Sequence, residues 1–394
     1  MRDPKDILPK ALTVIAESQS AGLHLGAQLY ISLKGEPVMD LAVGESRAGV
    51  ALQPDTIMLW LSASKPVTAV AIAQQWERSR LHLDDPVCRF IPEFGSQGKE
   101  TVTVRHLLTH TAGFRSADKI PEDLGWDETI EPICQTPLEP SWVPGQKGGY
   151  HVSSSWFLLG EIVRRLDGRR FDRYVREMIF EPTGMHDSWL GLPPAAYRRY
   201  GERIGVMHLV EKGQSQPHPF WNSEAGCALC RPGSNGRGPI RELGRFYEML
   251  LGGKEGRRAL LPEAKSCSVP QVLKPETVLT FTTRHRVGLY DQTFQHIIDF
   301  GLGFIINSNR YGIDTLPYGY GRHASEETFG HSGAQSSCAF ADPKHGLVVA
   351  WAFNGMPGER LHQKRARELN TAIYEDLKLV GASQQTVAAT PASP

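Results

Sequence analysis

The two ends of this chain carry the same local pattern, a helix beside a pair of strands. Near the amino terminus, apolar residues at helical spacing between Ile7 and Ile15 precede two predicted strands within residues 26–43, which break at the turn Lys34-Gly35-Glu36-Pro37. Near the other end, residues 337–340 and 347–353 predict a second hairpin, and a helix follows over residues 360–379. Because strands joined by short turns are antiparallel, both ends can enter one sheet.

A sheet shared by both ends leaves the middle of the chain as an insertion. The middle is richer in helical patterns, which lie at residues 104–109, 153–166, 171–179 and 240–251. We therefore expect an α/β fold of the α+β type, an antiparallel β-sheet flanked by helices with an inserted, mostly helical domain. The predicted boundaries are residues 1–85 and 286–380 for the discontinuous α/β domain, 86–285 for the inserted domain and 381–394 for a disordered tail.

The charge balance argues against two classes of partner. The chain of 394 residues has 43 Lys and Arg against 43 Asp and Glu, so it lacks the basic excess that collects nucleic acid or anionic lipid. No apolar run is long enough to span a membrane, and the amino terminus lacks the apolar region of a secretory signal. We expect a cytoplasmic protein with no nucleic-acid or membrane partner, whose six cysteines are thiols.

The first candidate for catalysis is the tetrapeptide Ser62-Ala63-Ser64-Lys65. A predicted helix begins at Ser62, and residues three apart share a helix face, so Ser62 and Lys65 should lie side by side. A partly buried lysine can take the proton of a serine hydroxyl, and the helix N-terminus supplies N–H groups for an oxyanion. The alternative is that Ser62 merely caps the helix.

Two further segments are candidates for the same site. Tyr150 ends a glycine-rich loop, and its phenol could accept a proton from Ser62 if a cation such as Lys65 lowers its pKa; the alternative is a tyrosine packed under the loop. Residues 329–335 precede a strand, and a main-chain N–H near Ala334 could complete an oxyanion hole with that of Ser62; the alternative is an ordinary turn.

The three segments together resemble the S-x-x-K, Y-x-N and K-T-G elements of the class C β-lactamase and penicillin-binding-protein superfamily. The matching residues are Ser62-x-x-Lys65, Tyr150-x-Val152 and His331-Ser332-Gly333, with further similar segments at 81–86, 104–114, 158–162 and 179–185. The resemblance implies that Ser62 is the acylated nucleophile, Lys65 its base partner and Tyr150 the proton shuttle. It also implies that the substrate lies along His331, Ser332, Gly333 and Ala334, and that no metal or organic cofactor is needed.

Two departures from the family pattern bear on the substrate. Val152 stands where β-lactamases usually have Asn, and His331 replaces the lysine of K-T-G, which weakens the cation that would bind a β-lactam carboxylate. With these two residues, the sequence resembles the family VIII carboxylesterases and related acyltransferases. The sequence therefore predicts a serine hydrolase that cleaves a small or medium acyl ester through a Ser62 acyl-enzyme.

Three alternatives stay open at this point. The same acyl-enzyme would serve an acyltransferase in biosynthesis; a β-lactamase or D-amino-acid peptidase, and a catalytically silent ligand-binding protein on the same fold, are the others. The sequence does not determine the oligomeric state. We interpret Cys227 and Cys230 as buried thiols rather than metal ligands, and His106 and His110 as helix-start and packing residues. The long loops 115–141 and 190–239 are expected to shape the pocket.

Overall fold

The computed structural model describes residues 3–252 and 270–380. The predicted tail, residues 381–394, lies outside these ranges. The strands are β1 Gly26–Leu33, β2 Glu36–Arg47, β3 Val50–Ala51, β4 Met58–Leu61, β5 Trp189–Leu190, β6 His208–Glu211, β7 Gln214–Pro217, β8 Gly236–Gly238, β9 Tyr290–Asp291, β10 His296–Ile297, β11 Ile305–Ile306, β12 Phe329–Gly333, β13 Ser337–Asp342, β14 Leu347–Phe353 and β15 Gly355–Met356.

Most of the helices lie in the middle of the chain, and α2 and α12 lie near its ends. In the same residue ranges the α-helices are α1 Pro4–Ile7, α2 Pro9–Ser20, α3 Lys65–Glu77, α4 Val104–Leu108, α5 Trp126–Gln135, α6 Ser154–Asp167, α7 Phe171–Val175, α8 Pro194–Tyr200, α9 Glu224–Ala228, α10 Ile240–Leu251, α11 Pro275–Thr282 and α12 Glu359–Asp376. Long predicted helices are found within a few residues of their expected ends. The sequence analysis missed several short ones, α5, α8, α9 and α11, because a helix of two or three turns carries little periodicity.

Both ends of the chain build the principal sheet. Within the described residues it has seven strands in the order β11-β12-β13-β14-β1-β2-β3, and every neighbouring pair is antiparallel. The first and last parts of the chain meet where β1 pairs with β14, in a register that places Ala27 opposite Phe353. An antiparallel sheet flanked by helices was predicted, and this prediction is confirmed.

The two faces of the sheet are covered by different helices. Along β14, Leu347, Val349 and Trp351 face one apolar cluster, which α2 and α12 complete. The alternate residues Val348 and Ala350 face a second cluster, which includes α10 and reaches the middle of the chain. Both faces of the strand are therefore buried, as the uninterrupted apolar run 347–353 requires.

The middle of the chain packs mostly as helices around α3. Residues Lys65 to Gln75 of α3 are all buried, and α4, α6, α7 and α11 contact this helix or its neighbours. One helix of the predicted inserted range, α10, contacts β1, β13 and β14 instead. The boundaries 1–85, 86–285 and 286–380 therefore stay a prediction. Two helices pack across them: α3, from residues 1–85, contacts α6, α7 and α11, and α10, from residues 86–285, contacts the principal sheet. In the part of the chain described, no helix is long and apolar enough to cross a membrane.

Candidate active site

The chain turns sharply at the residue before Ser62, where β4 ends. Leu61 has φ 48° and ψ −133°, a conformation that non-glycine residues rarely adopt. Ser64 Oγ donates a hydrogen bond to the Leu61 carbonyl at 2.6 Å, and Ser337 Oγ donates one to the Trp60 carbonyl at 2.6 Å. These contacts hold the turn. Helical structure begins at Ser62, as predicted. Its first three residues form a 3₁₀ turn, and α3 follows from Lys65.

Lys65 is fully buried beside Ser62. Its Nζ donates hydrogen bonds to Ser62 Oγ at 2.9 Å, to the Val152 carbonyl at 2.7 Å and to the Gly233 carbonyl at 2.9 Å. Burial lowers the pKa of Lys65 to about 7, and the negative charge of Asp118 opposes this shift. Lys65 is therefore poised to exchange a proton near neutral pH.

The three hydrogen bonds of Lys65 Nζ can be formed by a neutral amine as well as by an ammonium cation. A neutral amine has two N–H donors and one lone pair, and two of the three contacts, the carbonyls of Val152 and Gly233, can only accept. The lone pair is then directed at the third contact, the hydroxyl of Ser62, whose proton it can accept. The geometry suits a general base acting on a serine nucleophile.

Tyr150 is buried next to the same pair of residues. Lys65 Nζ lies 5.1 Å from the centre of its ring. Burial raises the pKa of Tyr150 well above its ordinary value, although a hydrogen bond with Ser62 opposes the shift. A lowered pKa was the condition on which Tyr150 could accept the proton of Ser62, and this condition is not met, because desolvation of the phenolate dominates the pKa of Tyr150. Tyr150 is accordingly a proton donor in the resting site.

A buried ion pair holds the backbone at Tyr150. The carboxylate of Asp291 accepts hydrogen bonds from the main-chain N–H groups of Tyr150 at 3.1 Å, Thr293 at 2.8 Å and Phe294 at 3.0 Å. Its second oxygen accepts from Arg286 at 2.8 Å, and both side chains of the pair are buried. This pair was not predicted, because two charged residues five positions apart carry no sequence signature of burial.

Asp118 holds the segment that follows Tyr150. Its carboxylate accepts the main-chain N–H groups of Val152 at 2.7 Å, Ser153 at 2.9 Å and Ser154 at 2.7 Å. A carboxylate at this place caps the start of α6 from a distant turn, Arg115–Lys119. It thereby fixes the carbonyl of Val152 that contacts the lysine. Sequence reasoning missed Asp118 as well, since its partners lie more than 30 residues away.

The predicted substrate edge is strand β12 with the residue that follows it. A Cβ on Gly333 would lie 2.2 Å from the Trp60 carbonyl oxygen, so glycine is required for β12 to lie this close to the end of β4. The close approach brings Ser332 and Ala334 to the wall of the cavity that contains Ser62. All four predicted residues of this edge thus lie near Ser62, and Gly333 is the one that packs against the Trp60 carbonyl.

His331 occupies the position of the family's lysine. Its Nδ1 donates to the carbonyl of Ser332 at 2.8 Å, and its Nε2 is buried without a hydrogen-bond partner in the part of the chain described. Burial, with a smaller contribution from the charge of Lys65, lowers the pKa of His331 to about 3. His331 is therefore neutral at physiological pH and supplies no cation for an anionic substrate.

A cavity of about 370 Å³ opens over the site. Its lining residues are Ser62, Tyr150, Val152, Thr293, Phe294, Ile305, Pro317, Tyr318, His331, Ser332, Ala334, Glu359 and Gln363. The wall is mostly apolar or aromatic. The loops 115–141 and 190–239 were expected to shape it, but neither supplies a lining residue in the part of the chain described. Apart from the residues of the three motifs, the lining comes from residues 293–318 and the start of α12. Loop 115–141 acts through Asp118.

The other candidate ligand residues are not assembled into a metal site. In residues 3–252 and 270–380, no group of three or more His, Cys, Asp or Glu side chains is placed to hold a metal ion. Cys227 and Cys230 are free thiols. His106 takes part in the capping box of α4 with Thr103, whereas the ring of His110 packs 4.5 Å from that of Tyr150. His110 is a packing residue, but it packs against the active site.

Comparisons with known proteins identify relatives of this chain. A putative D-alanyl-D-alanine carboxypeptidase of Escherichia coli (strain K12) is 28% identical over 327 residues, which cover 73% of this chain and 66% of that protein. The chain thus spans just under two thirds of that relative. The esterase/beta-lactamase LipL of Mycobacterium tuberculosis is 25% identical over 367 residues, 84% of this chain and 77% of that protein.

A solved structure and a family model both match most of the chain. The crystal structure of a penicillin-binding protein homologue from Caulobacter crescentus matches with a TM-score of 0.74 at 29% identity, covering 94% of this chain and 98% of that one. The model of the Beta-lactamase family matches residues 13–372. The resemblance seen in the motifs is therefore confirmed, and the chain belongs to the Beta-lactamase family.

Proposed function

We propose that the protein is a serine hydrolase of the carboxylesterase type, which cleaves small or medium acyl esters through an acyl-enzyme on Ser62. One observation carries the proposal. The hydroxyl of Ser62 lies 2.9 Å from the Nζ of Lys65, a buried amine whose pKa is lowered to about 7. A serine next to an amine that is partly neutral near pH 7 is an activated nucleophile.

The first half of the reaction forms the acyl-enzyme. Ser62 Oγ attacks the ester carbonyl carbon as its proton passes to Lys65 Nζ, which gives a tetrahedral oxyanion and an ammonium. The main-chain N–H groups of Ser62 and Ala334 are the proposed oxyanion donors. The bond from carbon to the alcohol oxygen then breaks, and Tyr150 gives its proton to that oxygen and regains one from Lys65.

The second half releases the acid. Water takes the place of the alcohol, loses its proton to the pair of Lys65 and Tyr150, and attacks the acyl carbon. The bond to Ser62 Oγ breaks, and the serine regains its proton. Because Tyr150 is buried and keeps its proton in the resting site, it serves this scheme as a donor that is reloaded by Lys65.

The cavity favours esters over β-lactams. A β-lactam carries a carboxylate, and the position that supplies a cation in β-lactamases holds the neutral His331 here. The side chain at the usual asparagine position is that of Val152, so Lys65 contacts a main-chain carbonyl at that place. One relative is named an esterase/beta-lactamase, so its name is compatible with both substrate classes, and the preference proposed here rests on His331 and Val152.

The test is covalent labelling with matched variants. Wild type, Ser62→Ala and Ser215→Ala, a change at an exposed serine of β7, are mixed with p-nitrophenyl butyrate, and intact mass and p-nitrophenol release are recorded. We expect a butyryl adduct and turnover in wild type and Ser215→Ala. In Ser62→Ala the adduct should be absent and the rate at least about a thousandfold lower.

The outcomes separate the candidate functions. Equal activity of Ser62→Ala would contradict the mechanism. An adduct that persists in water and is discharged by added alcohols or amines would identify an acyltransferase. No adduct with esters, together with turnover of a β-lactam or a D-amino-acid peptide, would replace the proposed substrate class; no reaction with any of these would indicate a binding protein.

A further inference from the structure

Among the described residues that line the cavity, one has a carboxylate side chain: Glu359, at the first position of α12. The Tyr318 hydroxyl lies 2.7 Å from both of its oxygens, and Gln363 Nε2 donates to one of them at 3.1 Å. Gln363 Oε1 in turn accepts the main-chain N–H of Tyr318 at 2.7 Å. These neutral donors orient the carboxylate without neutralising its charge.

Glu359 sets the sign of the charge in the cavity. Among the described lining residues, no cationic side chain opposes it, because His331 is neutral with its pKa lowered to about 3. Lys65 is fully buried and is held by two main-chain carbonyls and Ser62. The negative charge of Glu359 reaches the catalytic centre, since it contributes to the raised pKa of Tyr150. The cavity therefore disfavours anions and favours cations.

Aromatic rings connect the serine with this carboxylate. The ring of Tyr150 lies 4.5 Å from that of Phe294, which lies 5.6 Å from that of Tyr318. All three residues line the cavity. Aromatic rings beside a carboxylate are the surroundings in which proteins bind ammonium groups, because ring faces and carboxylate oxygens are both electron-rich.

The row of aromatic rings that starts at Tyr150 indicates which part of the substrate lies near Glu359. Tyr150 is the proposed proton donor to the leaving oxygen, so the alcohol portion of the ester lies on its side of Ser62. From Tyr150, successive contacts lead to Phe294, Tyr318 and Glu359. We propose that the preferred substrates are esters whose alcohol carries an ammonium group, and that Glu359 selects them over neutral and anionic alcohols. This inference rests on the proposed esterase function.

The experiment compares three butyrate esters of alcohols of similar size, which end in a trimethylammonium, a tert-butyl or a sulfonate group. Each yields the same butyryl-enzyme, so differences in kcat/KM report the alcohol portion alone. We expect the cationic ester to exceed the neutral one by roughly tenfold at low salt, and the anionic ester to be the slowest. Because Glu359 is exposed, added sodium chloride should reduce the preference.

Two variants of α12 provide the matched comparison. Glu359→Gln removes the charge but keeps an oxygen that accepts the Tyr318 hydroxyl, and it should reduce the ratio of cationic to neutral ester to about one. Glu368→Gln removes the same charge from an exposed side chain that pairs with Lys364, and it should leave the wild-type ratio. In wild type, tetramethylammonium should compete with p-nitrophenyl butyrate, whereas methanesulfonate should not.

Failure of this inference differs from failure of the proposed function. If wild type hydrolyses p-nitrophenyl butyrate through Ser62 but shows no preference for the cationic ester, the role of Glu359 is wrong and the esterase stands. Equal effects of Glu359→Gln and Glu368→Gln would also refute it, since the effect would then be that of net charge. If no ester is hydrolysed, both proposals are refuted.

Discussion

The lowered pKa of Lys65 predicts how the rate of the reaction depends on pH. In the scheme proposed for the acylation step, only the neutral amine accepts the proton of Ser62, so kcat/KM should follow the deprotonation of Lys65. With a pKa of about 7, activity rises through neutral pH and reaches a plateau above it. We expect kcat/KM for p-nitrophenyl butyrate to fall about tenfold for each pH unit below this pKa.

The magnitude of the effect follows from the size of the pKa shift. The ordinary pKa of a lysine is 10.5 and that of Lys65 is about 7, a difference of about 3.5. An ordinary lysine would be neutral in roughly one molecule in 3000 at pH 7, whereas Lys65 is neutral in about half. Burial therefore increases the population of the active base by about a thousandfold at neutral pH.

Asp118→Asn tests the assignment of this titration to Lys65. The carboxylate raises the pKa of Lys65, so removing its charge should lower that pKa and move the acidic limb of the profile to lower pH. The asparagine oxygen can still accept a main-chain N–H at the start of α6. Asp123→Asn, in the same loop at an exposed position, is the matched control and should leave the profile in place.

The histidines of the site do not obscure this measurement. Burial lowers the pKa of His331 to about 3 and that of His110 well below its ordinary value, so neither titrates near pH 7. The assay records initial rates between about pH 5 and about pH 9, with the uncatalysed rate subtracted. A flat profile, or an acidic limb that Asp118→Asn leaves unmoved, would refute the reasoning.

Two further predictions concern the frame of the site and its preference. Asp291→Ala leaves the buried Arg286 without its carboxylate and three main-chain N–H groups without an acceptor, so we expect a loss of about 3–5 kcal/mol in the free energy of unfolding, measured with urea. A loss below about 1 kcal/mol would contradict the role given to this ion pair. Val152→Asn combined with His331→Lys restores the family's residues and should raise β-lactam turnover relative to ester turnover; an unchanged ratio would show that these positions do not set the preference.

Local patterns in the sequence were sufficient for much of the fold. The alternation of strands and the helical spacing depend on neighbouring residues, so the hairpin at each end, α10 and α12 could be predicted from the chain itself. The pairing of Ser62 with Lys65 was predictable for the same reason, because residues three apart on a helix share a face. The short helices were missed where the periodic signal is brief.

The surroundings of the site were not predictable in this way. The carbonyl of Gly233 contacts Lys65, and Asp118 caps α6 from a distant turn, yet neither has a local signature. Backbone carbonyls are the same in every residue, so only the folded chain shows which of them converge on one amine. Glu359 likewise enters the cavity because α12 begins beside Tyr318, a contact between residues 41 positions apart.

The sequence by itself singled out Ser62, Lys65 and Tyr150 as the proposed catalytic residues, since they belong to motifs defined by residue type and spacing. Only the tertiary structure decided their protonation states. The sequence allowed Lys65 to act either as a neutral base or as a cation that lowers the pKa of Tyr150, whereas in the structure burial lowers the pKa of Lys65 and raises that of Tyr150. Desolvation depends on every atom packed around a group, and those atoms come from segments that meet only when the chain folds.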